Sequence, residues 1–241
     1  MRKAVLFLVA LCLVGRLSAE TDPGITLHWY PRPPMQYVEN GKLHGIVIDP
    51  TISAFKTAGI PIHWHETPAS RILAVIRANQ GMDCSPGWYK TPEREAFGQY
   101  TLPILHDSGL VVVVRQGLFI GAEKEDAASF LKTPGLRILW KQDFSYGPFF
   151  GKLVPDLVPV DQIIKTSADM PIILKMIQAG RADATIVSRE EIDYLSRSMF
   201  APTEFRELAF RDSPPGGYRH ILCSRNVPAE IIVRLNSAIA K

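Results

Sequence analysis

Apolar residues recur along this chain with two alternating rhythms, and the runs follow one another as strand, helix, strand. Ile25, Leu27 and Trp29 alternate with Thr26 and His28, which predicts a first strand. Asp49-Pro50 predicts a helix start, with Asp49 as N-cap, Pro50 as first helical residue, Ile52 and Phe55 inward and Gly59 as the stop. Residues 60–65 predict a second strand. Thr67-Pro68 repeats the cap-plus-proline device before Ile72, Leu73 and Ile76, Gly81 ends that helix, and a third strand starts at Asp83. His63 and His65 flank Trp64 and share one strand face. We read them as outward polar positions, because two histidines alone do not make a metal site.

The second half repeats the last of these units. Ile173, Met176 and Ile177 mark one face of a helix that ends at Gly180, and Asp183 then leads into a strand from Ala184 to Val187. Gly81-Met82-Asp83 and Gly180-Arg181-Ala182-Asp183 thus share the plan helix, glycine, aspartate, strand, as two similar α/β lobes would. Between them, Leu110 to Val114 is a continuous apolar run, expected for a strand buried on both faces. Arg137 to Trp140 predicts another strand, followed by a turn over 142–147. Ser213-Pro214-Pro215-Gly216-Gly217 is the strongest breaker in the sequence. After it come a strand over 218–223 and a final helix opened by Pro228, with Ile231, Leu235 and Ile239 at helical spacing.

The ends and the charge refine this picture. Arg2 and Lys3 precede an apolar stretch over 4–15, and Leu17-Ser18-Ala19 follows as a cleavage site, so residues 1–19 read as a signal peptide. Cys12 lies inside the apolar run behind bulky Leu11, which argues against a lipoprotein signal. The formal charge of +3 comes from 27 basic and 24 acidic residues. Losing Arg2, Lys3 and Arg16 leaves 24 against 24, so the exported chain carries no basic footprint for nucleic acid. Cys84 and Cys223 remain, either as one disulfide or as two separate thiols. No Cys/His cluster suggests a metal, and no cofactor is expected.

The segments Pro33-Pro34-Met35-Gln36-Tyr37, Asn40-Gly41-Lys42-Leu43-His44-Gly45 with Asp49, and Thr91-Pro92-Glu93-Arg94 together resemble the family 3 extracellular solute-binding proteins, the periplasmic receptors of polar amino-acid ABC importers. The resemblance implies an α/β, type II two-lobe (Venus-flytrap) fold with two crossovers. It divides the chain into 20–109 for the first part of lobe 1, 110–212 for lobe 2, and 213–241 returning to lobe 1. It also implies a soluble periplasmic monomer that partners an ABC permease or a signalling protein. Relatives continue past the final helix, so an ending at Lys241 is expected to leave the outer face of lobe 1 less covered.

Ligands of open α/β sheets bind beyond the carboxyl ends of the strands. Four segments reach that position here: Tyr30 to Tyr37; Gly87-Trp88-Tyr89 leading to Arg94; Asp143-Phe144-Ser145-Tyr146; and Ser188-Arg189-Glu190-Glu191. Arg94 matches the family arginine that grips the ligand carboxylate through two parallel hydrogen bonds. Ser145 matches a hydroxyl at a helix N-terminus, where an anion is favoured. Trp88, Tyr89, Tyr30 and Tyr37 are candidate apolar walls. Ser188 stands where amino-acid-binding relatives carry an aspartate for the ligand ammonium, and Arg189 beside it would repel that ammonium. A carboxylate without a neighbouring amine, or a dicarboxylate spanning Arg94 and Arg189, therefore fits as well as an amino acid. The alternative reading is an enzyme of the cyclohexadienyl-dehydratase type with Glu190 or Glu191 as general acid. Both glutamates are more simply first-turn residues favoured by a helix N-terminus.

Overall fold

A computed structural model describes residues 24–118, 126–142, 144–200 and 204–241. The expected signal peptide and Asp143 lie outside the described residues. In chain order the elements are β1 (Ile25–Trp29), β2 (Tyr37–Glu39), β3 (Lys42–His44), α1 (Ile48–Ala58), β4 (Ile62–Glu66), α2 (Ala69–Ala78), β5 (Asp83–Tyr89), α3 (Pro92–Glu95) and β6 (Gly98–His106). The chain then crosses to β7 (Leu110–Arg115), α4 (Ala127–Leu131), β8 (Ile138–Lys141), α5 (Gly147–Leu157), β9 (Ile163–Thr166), α6 (Met170–Gln178), β10 (Ala184–Ser188), α7 (Arg189–Ser198) and β11 (Phe205–Leu208). It returns through β12 (Tyr218–Ser224) and α8 (Ala229–Ile239).

Two five-stranded sheets result, ordered β4-β1-β5-β12-β6 and β11-β7-β10-β8-β9. Each has three parallel strands on one side and two antiparallel neighbours on the other. The repeated helix–glycine–aspartate–strand units occupy matching places, because β5 and β10 are the third strand of their respective sheets. Each aspartate also ties its strand to the neighbouring strand: Asp83 accepts from His28 Nε2 at 2.8 Å, and Asp183 accepts from the Arg137 backbone N–H at 2.9 Å.

The predicted helix starts shift by a residue or two. Helix α1 begins at Ile48 behind Val47, so Asp49 and Pro50 lie within its first turn, and Gly59 ends it at φ 65° as expected. Helix α2 ends at Asn79 (φ 54°) rather than Gly81. Thr67 does not cap it. Its hydroxyl sits 2.8 Å from both His28 Nδ1 and His65 Nδ1. His63 and His65 do face outward on β4. Strand β7 is buried as its apolar run implies, but both its neighbours are antiparallel. Strand β6 had no clear signal in the sequence. It is an edge strand that carries Pro103, a residue tolerated only at edges and bulges.

Cys84 and Cys223 are register partners on β5 and β12 and form a disulfide with Cα atoms 4.0 Å apart. The bridge joins the returning strand to the first-visited part of the same sheet. Helix α8 covers that sheet, with Leu235 and Ile232 buried against Ile25, Phe55 and Ile221. Among the described residues, no helix is long and apolar enough to cross a membrane.

Candidate functional site

Both crossings between the lobes pass one buried carboxylate. Asp107 follows β6, and its side chain accepts from Arg219 Nε at 2.6 Å, from the Gly217 N–H at 2.9 Å, from the Gly109 N–H at 3.1 Å and from the Tyr89 hydroxyl. Burial alone would raise the Asp107 pKa, but Arg219, Tyr89 and the two amides outweigh it and hold the carboxyl below its ordinary value. Gly216 lies against this node at φ 140°, where a Cβ would sit 1.9 Å from the Asp107 carbonyl oxygen. Only glycine fits that approach.

Above the node a cleft of about 570 Å³, counting its open mouth, runs between the two lobes. Lobe 1 contributes Tyr30, Arg32, Gln36, Trp88, Tyr89 and Arg94, while lobe 2 contributes Lys141, Gln142, Phe144 and Ser145. Arg94 is positioned by a short capped helix: Pro92 is its first residue, and the Thr91 hydroxyl accepts from the Arg94 N–H at 3.3 Å. Although only 7 % exposed, the Arg94 side chain donates to just one backbone carbonyl, that of Tyr89, at 3.2 Å. Its Cζ lies 4.8 Å from the Trp88 ring centre. Among the described residues it makes no ion pair. Burial, the largest influence, lowers its pKa. Two further polar atoms on residues that line the cleft are buried without partners among the described residues, Trp88 Nε1 and Gln36 Oε1. An unpaired buried donor or acceptor costs about 1–3 kcal/mol, so such atoms mark where a bound molecule would be recognised.

The other cations of the cleft are neutralised. Arg32 pairs with Glu191, Arg219 with Asp107, and Lys141 Nζ with Asp169 at 2.9 Å. Ser145 lines the cleft as expected, and its hydroxyl accepts from the Gly147 N–H at 3.4 Å, at the start of α5. Tyr30 and Trp88 line it as well. Tyr89 lines it with its hydroxyl tied back to Asp107 and Arg219, and burial pushes that hydroxyl's pKa up.

The remaining expected residues fall elsewhere. Tyr37 stands on β2 with its ring centre 6.3 Å from that of Tyr194 on α7, outside the cleft lining. Ser188 is fully buried at the N-cap of α7, and Arg189 points to Glu207 at 3.3 Å. Neither lines the cleft, because β10 buries Ser188 and the helix turns Arg189 outward. Glu190 accepts from the Ser108 N–H at 2.5 Å, and Glu191 is engaged by Arg32. Arg32, Gln36, Lys141 and Arg219 were not read from the sequence as site residues. A charged side chain beside Pro33-Pro34 was the available signal for Arg32. A second hollow of about 910 Å³, around Phe149, Phe150 and Tyr218, shares only Tyr89 with the cleft and holds none of the unpartnered buried atoms.

Several solved structures share this architecture. The arginine-, lysine-, histidine-binding protein ArtJ of Geobacillus stearothermophilus aligns with a TM-score of 0.71 at 17% identity, over 90% of this chain and 88% of its own. GshT of Streptococcus mutans, from a study of glutathione import, aligns at 0.70 and 16% over 90% and 88%. A mutant of the Bordetella pertussis BvgS VFT2 domain aligns at 0.68 and 19% over 91% and 88%. At such identities these likenesses show the fold, a two-lobe type II binding protein. No curated protein matches the chain. The family profile of the bacterial extracellular solute-binding proteins, family 3, matches residues 26–183, and the chain belongs to that family.

Proposed function

We propose that this protein is a periplasmic receptor that captures a small monocarboxylate by lobe closure and presents it for ABC-type import. The observation that carries the reading is Arg94, a buried guanidinium in the cleft that lacks an anionic partner among the described residues. Of the four cations lining the cleft among the described residues, Arg32, Lys141 and Arg219 are paired and Arg94 is not, so one negative charge would balance those described groups. This favours a monoanion over a dicarboxylate, and Arg189 lies outside the lining, paired with Glu207. The carboxylate would take Arg94 and Trp88 Nε1, the rings of Tyr30 and Trp88 would wall its apolar part, and the Gln36 amide would meet a neutral polar group. Among the described residues Glu191 is the carboxylate nearest to offering a partner for an α-ammonium, and Arg32 holds it. Ordinary α-amino acids are therefore poor ligands.

The test is a calorimetric and thermal-shift panel that matches skeletons across keto, hydroxy and amino acids, run on wild type and Arg94→Ala. Losing a charge-assisted pair should weaken the best ligand at least about tenfold. Retained affinity within about twofold would remove Arg94 from the site. A second reading, a sensor module that passes the closed shape to a signalling partner, is favoured by the likeness to the BvgS VFT2 domain. It uses the same cleft, and finding a permease or a kinase as the partner separates the two.

A further inference from the structure

Among the described residues, one cation of the cleft is paired across the lobes. Lys141 and Asp169 both belong to lobe 2, and Arg219 and Asp107 to lobe 1. Arg32 instead stands just after β1 in lobe 1, and its Nε and Nη2 donate to Oε2 of Glu191 on α7, in lobe 2, at 3.1 and 2.8 Å. The Phe144 ring centre, also in lobe 2, lies 4.5 Å from the same guanidinium. A carboxylate and an aromatic face that meet one cation in this way make a cation subsite. Glu191 is held in place by the first turn of α7, where the Arg189 N–H donates to the Gly109 carbonyl at 3.0 Å. The cation is supplied by the chain itself, from a loop pinned by paired backbone hydrogen bonds between Arg32 and Gln36 at 2.8 and 3.0 Å. Arg32, Tyr30 and Arg94 all line the cleft, and the Tyr30 hydroxyl lies within electrostatic reach of both guanidiniums. A small solute held by Arg94 can therefore extend to the position that Arg32 fills.

We propose that Arg32 is a specificity-determining residue: its guanidinium fills a cation subsite formed by Glu191 and Phe144, so that a solute carrying an ammonium is refused. This deepens the carboxylate-receptor reading above and rests on it. When the lobes close on a solute, Glu191 has to meet a positive charge, because a carboxylate buried without one is costly. In this chain Arg32 meets it. A solute ammonium would have to displace a tethered guanidinium that makes two hydrogen bonds and a ring contact. Without the Arg32 side chain, the same closure takes its cation from the solute. Without the charge on Glu191, Arg32 joins Arg94 as a second guanidinium lacking an anion, and closure then favours a solute with two negative charges. The two residues thus shift the preferred solute charge in opposite directions. Lost packing alone would not produce that pattern.

The test has two arms. Thermal shift with methylguanidinium chloride, against sodium chloride at equal ionic strength, reads the cation subsite with no carboxylate present. Methylguanidinium should raise the Tm of Arg32→Ala saturably and leave wild type and Arg32→Ala/Glu191→Gln unchanged. Calorimetry then compares 2-oxo and 2-amino acids of matched skeleton (pyruvate with alanine, 4-methyl-2-oxopentanoate with leucine, phenylpyruvate with phenylalanine) and the dianions succinate and 2-oxoglutarate. The ratio of amino-acid to oxo-acid affinity should rise at least about tenfold in Arg32→Ala. The ratio of dianion to monoanion affinity should rise at least about tenfold in Glu191→Gln, a shape-conserving variant that decides alone if Arg32→Ala does not fold. A folded Arg32→Ala that gives no methylguanidinium response would overturn the inference, as would an unchanged dianion-to-monoanion ratio in Glu191→Gln. The methylguanidinium arm does not involve Arg94 or a carboxylate, so it stands even if none of these acids binds. Failure of the receptor reading shows elsewhere, as retained affinity in Arg94→Ala.

Discussion

Asp107→Asn is the most informative single change outside the cleft, because it keeps the shape of the side chain and removes its charge. In the native chain Asp107 and Arg219 are 2 % and 3 % exposed, and Asp107 accepts four hydrogen bonds, two of them from Gly217 and Gly109 on the two crossings. The variant leaves the Arg219 guanidinium buried without an anion, beside a neutral amide, the Gly87 carbonyl and the Tyr89 hydroxyl. Breaking a buried pair in this way costs about 3–5 kcal/mol. For a chain of this length each kcal/mol lowers Tm by about 2–4 °C, so a fall of roughly 6–20 °C is expected. The pH dependence supplies a second reading. Because folding depresses the Asp107 pKa, its stabilisation is present above the unfolded value near 4 and is lost as pH falls through the lower folded value. Thermal unfolding followed by circular dichroism should therefore show a shallower acid-side decline in Asp107→Asn than in wild type. A Tm within about 2 °C of wild type at pH 7 would refute the claim that this node holds the crossings.

Three further outcomes follow from the same contacts. Cys84→Ala/Cys223→Ala opens a bridge spanning 139 residues and should cost about 2–5 kcal/mol, while intact mass after non-reducing alkylation should show neither cysteine modified in wild type. Gly216→Ala should destabilise by more than about 1 kcal/mol in denaturant melts, and more than Gly117→Ala, which also has positive φ but no described atom within 4 Å of its Cβ position. Trp88→Phe should weaken solute binding about tenfold by calorimetry, more than the fall in Tm from its lost packing against Ile72, Ile76 and Leu222 would suggest, since it removes a buried donor that has no partner among the described residues.

The fold was legible where its cause is local. Apolar alternation marked β1, helical spacing marked α8, and the repeated glycine–aspartate signature marked β5 and β10 as equivalent strands of two sheets. Edge strand β6 was hidden because its stability comes from pairing with β12, more than a hundred residues away, and not from its own pattern around Pro103. The site divided in the same way. Arg94 and Ser145 were named by resemblance to the family and Trp88, Tyr89 and Tyr30 by their places at strand ends, and all five line the cleft. Ser188 was reasoned from what relatives carry at that point, yet the hydroxyl is too short to leave the strand and remains buried beneath α7. On the proposed function, the role expected of it passes to Glu191, three residues further on, where one helical turn brings a longer carboxylate to face Arg32 of lobe 1. Whether that carboxylate can receive an ammonium depends on Arg32, 159 residues away in sequence and 2.8 Å away in space. No local pattern encodes that distance, because it exists only after two sheets have formed and the chain has crossed between them. On the proposed function, substitutions at Arg32, which lines the cleft, should therefore alter ligand choice more than substitutions at Ser188, which does not.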